Sequence, residues 1–196
     1  AQTTDKLLIA CDNGRFYTLG CDKLPSARGF GEPIRTMVDI DATAQIVAVM
    51  AYKPKAQLLL ASNAGRGFVA EADELLAETR KGRAVMTTKP GVRLMVVREV
   101  PAEHDHIAVV GDNRKLVIFA LSEMPVLAKG QGVTLQRYRD GGLSDAITLK
   151  LEDGLSWAMG GETGRTRTEK DVGLWKVARG AAGRLPPTGF PRDNRF

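Results

Sequence analysis

The sequence has little of what membrane proteins and disulfide-stabilised proteins need. Its longest uncharged apolar stretches, residues 46–52 and 58–61, are too short to span a bilayer. No basic segment followed by an apolar run opens the chain, so a secretory signal is not expected. The two cysteines, Cys11 and Cys21, have no metal-ligand spacing around them, which favours buried thiols in a reducing cytoplasm. These shortages exclude a membrane protein and a disulfide scaffold, and they predict a cytoplasmic location.

Side chains for acid–base catalysis are also scarce. The two histidines, His104 and His106, flank Asp105, and we interpret this triplet as surface residues that enter a strand rather than as a metal site. Tyr138 lies between two arginines, and we interpret it as a stacking or solvent-facing residue of a basic loop rather than as a nucleophile. No serine–histidine–aspartate arrangement or phosphate-binding P-loop can be assembled. The sequence therefore predicts no catalytic residue and no metal, and an enzyme with its own active site ranks third among the functions considered.

What the chain does contain is glycine and an excess of positive charge. There are 21 glycines among 196 residues, and 28 lysines and arginines against 23 acids give a net charge of +5. Residues 161–196 hold eight of these cations and four acids, so the end of the chain carries most of the excess. This distribution favours a polyanionic partner.

A repeat of about 50 residues organises the sequence. Residues 6–15 match residues 57–66, 106–115 and 156–165, at offsets of 51, 100 and 150. Each copy is an apolar run followed by a turn rich in Asp, Asn or Gly and then by a basic residue, namely Arg15, Arg66, Lys115 and Arg165. Such a run and turn predict a β-hairpin, and a period of 40 to 50 residues with about four strands is typical of a propeller blade.

The predicted blades span residues 1–50, 51–99, 100–150 and 151–186, and residues 187–196 form a basic, proline-containing tail that is a surface strap or a flexible end. Strands are expected at Leu7–Ala10 and Ile107–Val110, with further strands at Val92–Val97 and Ala146–Leu151. Residues 69–80 are helical by propensity. Prolines in the equivalent stretches of two other copies instead predict a loop with at most one or two helical turns.

A glycine-containing basic motif accompanies each hairpin. The four copies are Arg28–Gly31, Lys81–Ala84, Lys129–Gly132 and Arg179–Ala182. Glycine lets backbone N–H groups approach a phosphate closely, and the neighbouring cation supplies charge. Because the motif recurs once per blade, we expect these copies at equivalent places around a rim. Few aromatic residues accompany them, which favours contact with a duplex backbone over stacking on single strands.

Several of these segments resemble one known family. Residues 24–33, 59–68 and 124–132 are similar to the C-terminal domain of the A subunit of bacterial DNA topoisomerase IV, and the resemblance covers roughly residues 5–185. It implies an all-β fold, the β-pinwheel, in which neighbouring propeller-like blades exchange strands. It also implies a non-catalytic module of an ATP-hydrolysing type IIA topoisomerase that acts on the nucleoid, with the catalytic tyrosine upstream and no cofactor in this domain. The implied partners are double-stranded DNA, the rest of the A subunit, the B subunit that carries the ATPase, and chromosome-organising proteins.

The related domain of the gyrase A subunit carries a seven-residue box, Gln-Arg-Arg-Gly-Gly-Lys-Gly, that wraps DNA tightly. No intact box occurs here, and the nearest sequences are residues 80–83 and 129–132. This difference favours topoisomerase IV over gyrase. A gyrase domain with a degenerate box stays an alternative.

We expect the basic blade rim to bind and bend duplex DNA, and thereby to guide the transported segment and set preference in decatenation and supercoil relaxation. The expected phosphate contacts are Arg28, Arg80, Lys81, Arg83, Lys129, Arg137, Arg139, Arg165, Arg167 and Arg179. The main alternative from another class is a propeller-like scaffold whose basic rim docks an acidic protein partner.

Overall fold

The structure is a computed structural model that describes residues 5–20, 37–160 and 164–196. Within these ranges the regular structure is almost entirely β. Short 3-10 helices span Ala72–Leu75, Leu121–Glu123, Leu151–Asp153 and Gly173–Trp175. The strands are β1 (Lys6–Cys11), β2 (Arg15–Gly20), β3 (Ile46–Ala51), β4 (Gln57–Ser62), β5 (Arg66–Glu71), β6 (Arg83–Ala84), β7 (Leu94–Val100), β8 (His106–Gly111), β9 (Leu116–Ala120), β10 (Val133–Thr134), β11 (Leu143–Leu149), β12 (Leu155–Ala158) and β13 (Thr166–Glu169).

The sheets follow one plan in which neighbouring repeats exchange a strand. The first has the order β3-β1-β2-β6 and the second the order β10-β5-β4-β7. In each, the short outer strand (β6 or β10) comes from the glycine-containing segment of the next repeat. The third sheet has the order β11-β8-β9. Here the equivalent segment of the next repeat pairs with β9 through a single bridge, between Leu116 and Arg184. This exchange confirms the all-β pinwheel prediction.

The predicted four strands per blade are not reached in every described sheet. The third sheet has three strands beside its bridge, and the fourth is the hairpin β12-β13 alone. Two predicted strands are also shifted. Strand β7 begins at Leu94 because the side chain of Asn63 binds the backbone of Arg93, and β11 ends at Leu149 because Leu151 opens a 3-10 helix. Residues 69–80 complete β5 and then form one 3-10 helix, which confirms the short-helix prediction.

The core consists of clusters between successive blades, and the middle strands contribute to two of them. In β4, Leu58 and Leu60 belong to the cluster shared with the first blade, whereas Leu59 and Ala61 belong to the cluster shared with the third. Strand β8 alternates in the same way between the second and fourth blades. Successive side chains of a strand point to opposite faces, so each middle strand is buried on both faces and has a continuous apolar sequence.

Two edges of the array can be distinguished. Strand β3 contacts β7, and β7 contacts β11, so these strands meet at the hub. The exchanged strands β6 and β10 lie at the opposite edge of their sheets, which is the rim. The first three hairpin turns lie at one end of the array, which we call the turn end. They are linked there by the N–H of Leu94, which donates to Asp12 of the first turn, and by the N–H of Leu143, which donates to Asn63 of the second.

The hairpin turns need a residue in the left-handed backbone region. Gly14 (φ +83°) and Gly65 (φ +78°) occupy this position in the first two turns. In the third turn Arg114 (φ +63°) takes it, although a side chain there is unfavourable by about 1 kcal/mol. Cys11, as expected, is a buried thiol at the end of β1, and Cys21 lies outside the described residues.

The register that we inferred for the glycine-containing motifs is wrong. Arg83 pairs with Phe16 and Val133 pairs with Gly67, so the residues that precede them, Gly82 and Gly132, are equivalent. A Cβ on Gly82 would lie 2.7 Å from the carbonyl oxygen of Phe16, and Gly132 approaches the carbonyl of Gly67 even more closely. The feature that recurs is therefore a glycine that lies very close to the partner strand. Sequence matching placed this glycine of the third repeat at Gly130, two residues before its actual position at Gly132.

In the fourth repeat the equivalent glycine is Gly183, which approaches Leu116 in the same way. The glycines that sequence comparison had aligned serve another purpose. The N–H of Gly130 donates to the carbonyl of Val85 at 2.8 Å, and that of Gly180 donates to the carbonyl of Leu135 at 2.9 Å. These bonds link each exchanged segment to the preceding one.

None of the helices in the described ranges is long and apolar enough to cross a membrane.

Candidate nucleic-acid interface

The chain crosses the turn end each time it passes from one blade to the next. After the exchanged strand β6, the N–H groups of Val85 and Met86 donate to the carbonyl of Gly14 at 3.0 and 3.1 Å. The chain then reaches the turn of the second blade, where Asn63 binds the carbonyl of Gly91 and the N–H of Arg93 through its side chain. We call residues 85–93 the first crossing segment.

Residues 135–142 repeat this path and form the second crossing segment. The N–H of Leu135 donates to the carbonyl of Gly65 at 2.7 Å, and Asp112 of the third turn exchanges two hydrogen bonds with Gly142. The crossing segments and the exchanged strands that precede them therefore form one continuous surface of the turn end and its rim.

Arg80, Lys81 and Arg83 lie together at the rim of the first blade. The side chains of Arg80 and Arg83 are 64% and 42% exposed. Each lies 3.7 Å from a carboxylate oxygen, Asp39 for Arg80 and Glu74 for Arg83. An exposed pair at this distance is weak, so the guanidinium group of Arg83 stays available to an anion. Lys81 is exposed as well.

Lys129 and Arg179 precede the equivalent glycines 130 and 180, but their side chains differ. Lys129 is exposed, with no side-chain partner among the described residues. Arg179 is half-buried, and its Nη1 donates to the carbonyl of Thr134 at 2.9 Å, while its buried Nε has no partner in the described part of the chain. Arg179 is thus partly committed to the backbone of the neighbouring repeat.

Arg137 and Arg139 are exposed on the second crossing segment, on either side of Tyr138. The tyrosine is not the stacking or solvent-facing residue that we expected. Its ring packs against Gly65 and Gly111, where a Cβ would collide with it. Burial raises the pKa of the Tyr138 phenol above its ordinary value, and the Asp112 carboxylate raises this pKa further. The ring thus anchors the crossing segment across the seam between two blades.

The other predicted contacts are more scattered. Arg165 and Arg167 are exposed beside and within β13 of the fourth blade. Arg28 lies outside the described residues. The other predicted cations of the first three blades thus lie together along the rim and the turn end. Arg165 and Arg167 lie apart from them, on the hairpin of the fourth blade.

Comparison with known proteins shows the family to which the chain belongs. A family model described as DNA gyrase C-terminal domain, beta-propeller, matches residues 56–100 and 105–145. The whole chain is 41% identical to the DNA topoisomerase 4 A subunit of Rickettsia bellii and 42% identical to that of Caulobacter vibrioides, of which it covers 26% and 25%. It belongs to the family of C-terminal domains of topoisomerase IV A subunits. The chain spans about a quarter of the length of these relatives.

Solved structures of the family share the fold. The E. coli ParC C-terminal domain superposes with a TM-score of 0.83 at 24% identity, over 98% of this chain and 80% of that one. The C-terminal domain of DNA topoisomerase IV in a second structure gives 0.78 at 18% identity, over 93% of this chain and 58% of that one. The pinwheel of this topoisomerase IV-type domain is therefore that of its family.

Two cations of the turn end were missed by the sequence reasoning. Lys89 and Arg93 are exposed on the first crossing segment. Lys89 follows Gly82 by seven residues, just as Arg139 follows Gly132 by seven residues. With Gly82 and Gly132 aligned as equivalent residues, this spacing would have predicted Lys89.

The recurrent arginines after the hairpin turns have a structural role in this topoisomerase IV-type domain. The Nη2 of Arg15 donates to the carbonyl of Lys81 at 2.7 Å, and that of Arg66 donates to the carbonyl of Gly132 at 2.8 Å. Both side chains hold the exchanged segment of the next repeat in place. In the first two repeats the cation at this position therefore serves blade assembly.

The His104–His106 triplet lies at the start of β8. His104 Nδ1 is 2.8 Å from the hydroxyl of Thr148, and Asp105 binds both His106 and the N–H of Leu151 through its side chain. The hydrogen bonds of Asp105, first that with His106 and then that with the N–H of Leu151, lower the pKa of its carboxyl group. In the described part of the chain, no group of three or more His, Cys, Asp or Glu side chains could hold a metal ion.

The Tyr138 anchor gives a stability prediction. We expect Tyr138→Ala to lower the free energy of unfolding by about 2 kcal/mol, because it removes a ring that two glycines accommodate. Tyr138→Phe should match the parent or exceed it slightly, because the buried hydroxyl has no partner among the described residues. Urea denaturation followed by circular dichroism measures both. A large loss with phenylalanine would mean that the hydroxyl, and not the ring, is the anchor.

Proposed function

We propose that this chain is the non-catalytic DNA-binding domain of the A subunit in an ATP-hydrolysing type IIA topoisomerase. The proposal places the catalytic tyrosine elsewhere in the A subunit, assigns the ATPase to the B subunit, and requires no cofactor in this domain. It is supported by the relationship to DNA topoisomerase 4 over the full length of the chain.

One observation carries the proposal for the isolated domain. The rim and the crossing segments present exposed cations on successive blades. Arg83 pairs only loosely with Glu74, at 3.7 Å, and the cations without a side-chain partner among the described residues are Lys81, Lys89, Lys129, Arg137 and Arg139. Lysine and arginine side chains in this state neutralise phosphates and release counterions from DNA. Since they reach the backbone and not the base edges, binding should depend weakly on sequence.

The order of the blades supports a bent duplex. Successive blades are arranged around the hub formed by β3, β7 and β11, so their rim cations follow a curved path. A duplex that contacts the cations of more than one blade would bend gently to follow them, and bending over 20 to 30 base pairs costs on the order of a few kcal/mol. In the complete enzyme, such a bent segment would be presented as the transported segment and would bias the choice among DNA crossings, in favour of decatenation and relaxation of positive supercoils.

The test is the affinity for a duplex of about 40 base pairs, measured by fluorescence anisotropy across a salt series. We expect log K to fall against log salt with a slope of about −4 to −5, for four to six neutralised phosphates. A variant with Arg80, Lys81, Arg83 and Lys129 changed to Glu should bind at least roughly 100-fold more weakly at 0.1 M salt. End-to-end energy transfer in a doubly labelled duplex measures the bend.

A matched control has the same change in net charge at the opposite end of the array. Lys6 starts β1, Lys53 and Lys55 follow β3, and Lys150 follows β11, so all four lie away from the turns. The variant with these four lysines changed to Glu should bind nearly as well as the parent. Equal losses in both variants would contradict a localised site. Negligible binding by the parent would overturn the proposal in favour of a scaffold that docks an acidic protein, including a chromosome-organising protein.

A further inference from the structure

The end of the chain continues the path of the two crossing segments. Arg184 exchanges two backbone hydrogen bonds with Leu116, at 2.7 and 3.2 Å, and thereby occupies the position of the exchanged strand on the third blade. In the first two repeats the residues after this point cross the turn and reach the next hairpin. Residues 185–196 take the corresponding course, from the third turn to the fourth hairpin.

Arg114 fixes this segment at the third turn. Its Nη1 donates to the carbonyl of Pro191 at 2.9 Å and to the side chain of Asn194 at 3.1 Å, and its Nη2 donates to the carbonyl of Phe190 at 3.3 Å. Arg114 holds the left-handed position that glycine takes in the first two turns. Arg114 therefore has an unfavourable backbone conformation, and its guanidinium group donates to three acceptors within residues 190–194.

Aromatic packing and the backbone complete the attachment. Phe190 is buried, with its ring centroid 5.5 Å from that of Trp157 and 5.4 Å from that of Phe196 in edge-to-face contacts. The N–H of Phe196 donates to Asp145 at 3.0 Å, and Asp145 also accepts hydrogen bonds from Arg98. The predicted tail is thus a strap that packs on two blades.

The strap holds two cations beside the fourth hairpin. Arg192 and Arg195 are exposed and line one groove together with Met159 and Gly160 at the turn end of that hairpin. The groove also contains one acid, Asp193, so two cations face one carboxylate there. Neither guanidinium has a hydrogen-bond or ion-pair partner within the described ranges. Each of the two crossing segments also presents two exposed cations. The cations of the crossing segments and the strap are therefore Lys89, Arg93, Arg137, Arg139, Arg192 and Arg195.

We propose that residues 187–196 form a third crossing segment and that Arg192 and Arg195 extend the duplex-binding surface onto the fourth blade. The proposal rests on the proposed function, because its ligand is the same duplex backbone. Arg114 acts as a positioning residue: it holds the strap and leaves the two exposed arginines free for phosphate oxygens.

The experiment compares two double variants of the full 196-residue chain in the same anisotropy assay. R192A/R195A removes the strap cations. K170A/K176A removes the same charge from residues that follow β13 and the last 3-10 helix, away from the turn end. We expect R192A/R195A to bind roughly tenfold more weakly at 0.1 M salt and to have a salt slope shallower by about 1.5 to 2, whereas the control stays close to the parent.

A third variant tests the positioning role. Arg114→Gly introduces the residue that the first two turns have at this position, so the turn itself should fold at least as well, while the strap loses three hydrogen bonds. Trypsin should then cleave at Arg192 faster, and duplex affinity should fall toward that of R192A/R195A.

The outcomes separate the two proposals. If R192A/R195A and K170A/K176A bind equally well while the rim variant still loses binding, the strap is not a contact and only the further inference is overturned. If the parent itself does not bind the duplex, both proposals fail. Parent-like affinity of Arg114→Gly with a protease-sensitive strap would overturn the positioning role.

Discussion

Replacing Gly132 with alanine is expected to lower the free energy of unfolding by about 2 to 4 kcal/mol. Two effects add. The backbone of Gly132 has φ +78°, which a residue with a Cβ adopts unfavourably, and the new Cβ would collide with the carbonyl group of Gly67. To avoid this collision, the exchanged strand β10 would have to move away from β5, and this movement would weaken the connection between the second and third blades.

Gly91→Ala is the matched control for conformational strain. Gly91 has nearly the same φ, +81°, but among the described residues no atom other than those of its chain neighbours lies within 4 Å of the position that a Cβ would take there. Its substitution should cost only about 1 kcal/mol. Urea denaturation of both variants measures the difference. Equal losses would show that the close approach of Gly132 to β5 contributes nothing beyond its backbone conformation.

Replacing Trp157 with alanine should have the largest effect of a single core substitution, about 3 to 5 kcal/mol. The side chain is 1% exposed and lies in the cluster between the third and fourth blades, in contact with Phe190 of the strap. Its loss removes the surface on which the strap packs. The fourth sheet has only two strands in the described ranges, so this sheet depends strongly on the cluster.

Two further variants define the origin of the Trp157 effect. Trp157→Phe should cost clearly less, because it keeps most of the ring and removes a buried indole N–H that has no partner among the described residues. Leu174→Ala, at a side chain that is 63% exposed, should change stability by no more than about 0.5 kcal/mol. Thermal and urea unfolding measure all three. Similar losses for the Phe and Ala variants would indicate that the indole nitrogen, and not packing, stabilises the interface.

The repeat and the strands could be predicted from the sequence because they depend on local patterns. The continuous apolar runs of β4 and β8 reflect burial on both faces, and the polar turns that follow them reflect the left-handed position of each hairpin. The third turn shows the limit of local patterns. Arg114 replaces the expected glycine, and its reason is a contact with residues 190–194, which are far away in sequence.

The register of the glycine-containing motifs could not be obtained by matching letters. Lys81-Gly82 and Lys129-Gly130 are similar as sequences, but the strand pairing makes Gly132 the partner of Gly82. Gly132 differs from Gly130 in that it lies against β5. Because β5 belongs to another repeat, the sequence around the two glycines does not show this difference.

The exposure of several predicted contacts could be expected from the sequence, whereas the conformation of each side chain could not. Arg80, Lys81, Arg83, Lys129, Arg137 and Arg139 are exposed, and their contact with DNA stays a prediction. Arg179 is partly turned toward a carbonyl and Tyr138 is turned inward, and both orientations depend on a neighbouring repeat. The anchoring of the strap, with Arg192 and Arg195 on it, depends likewise on contacts with two blades.

The exchange of strands has a consequence for how such domains gain and lose length during evolution. Because β6 and β10 complete the sheet of the preceding repeat, a duplicated or deleted unit of about 50 residues brings one strand for its predecessor and accepts one from its successor. Whole units can therefore be inserted or removed without leaving an unpaired edge at the junction. Under the proposed function, each such event would lengthen or shorten the surface available to a duplex by one blade, so the number of repeats would set the length of DNA that the domain contacts.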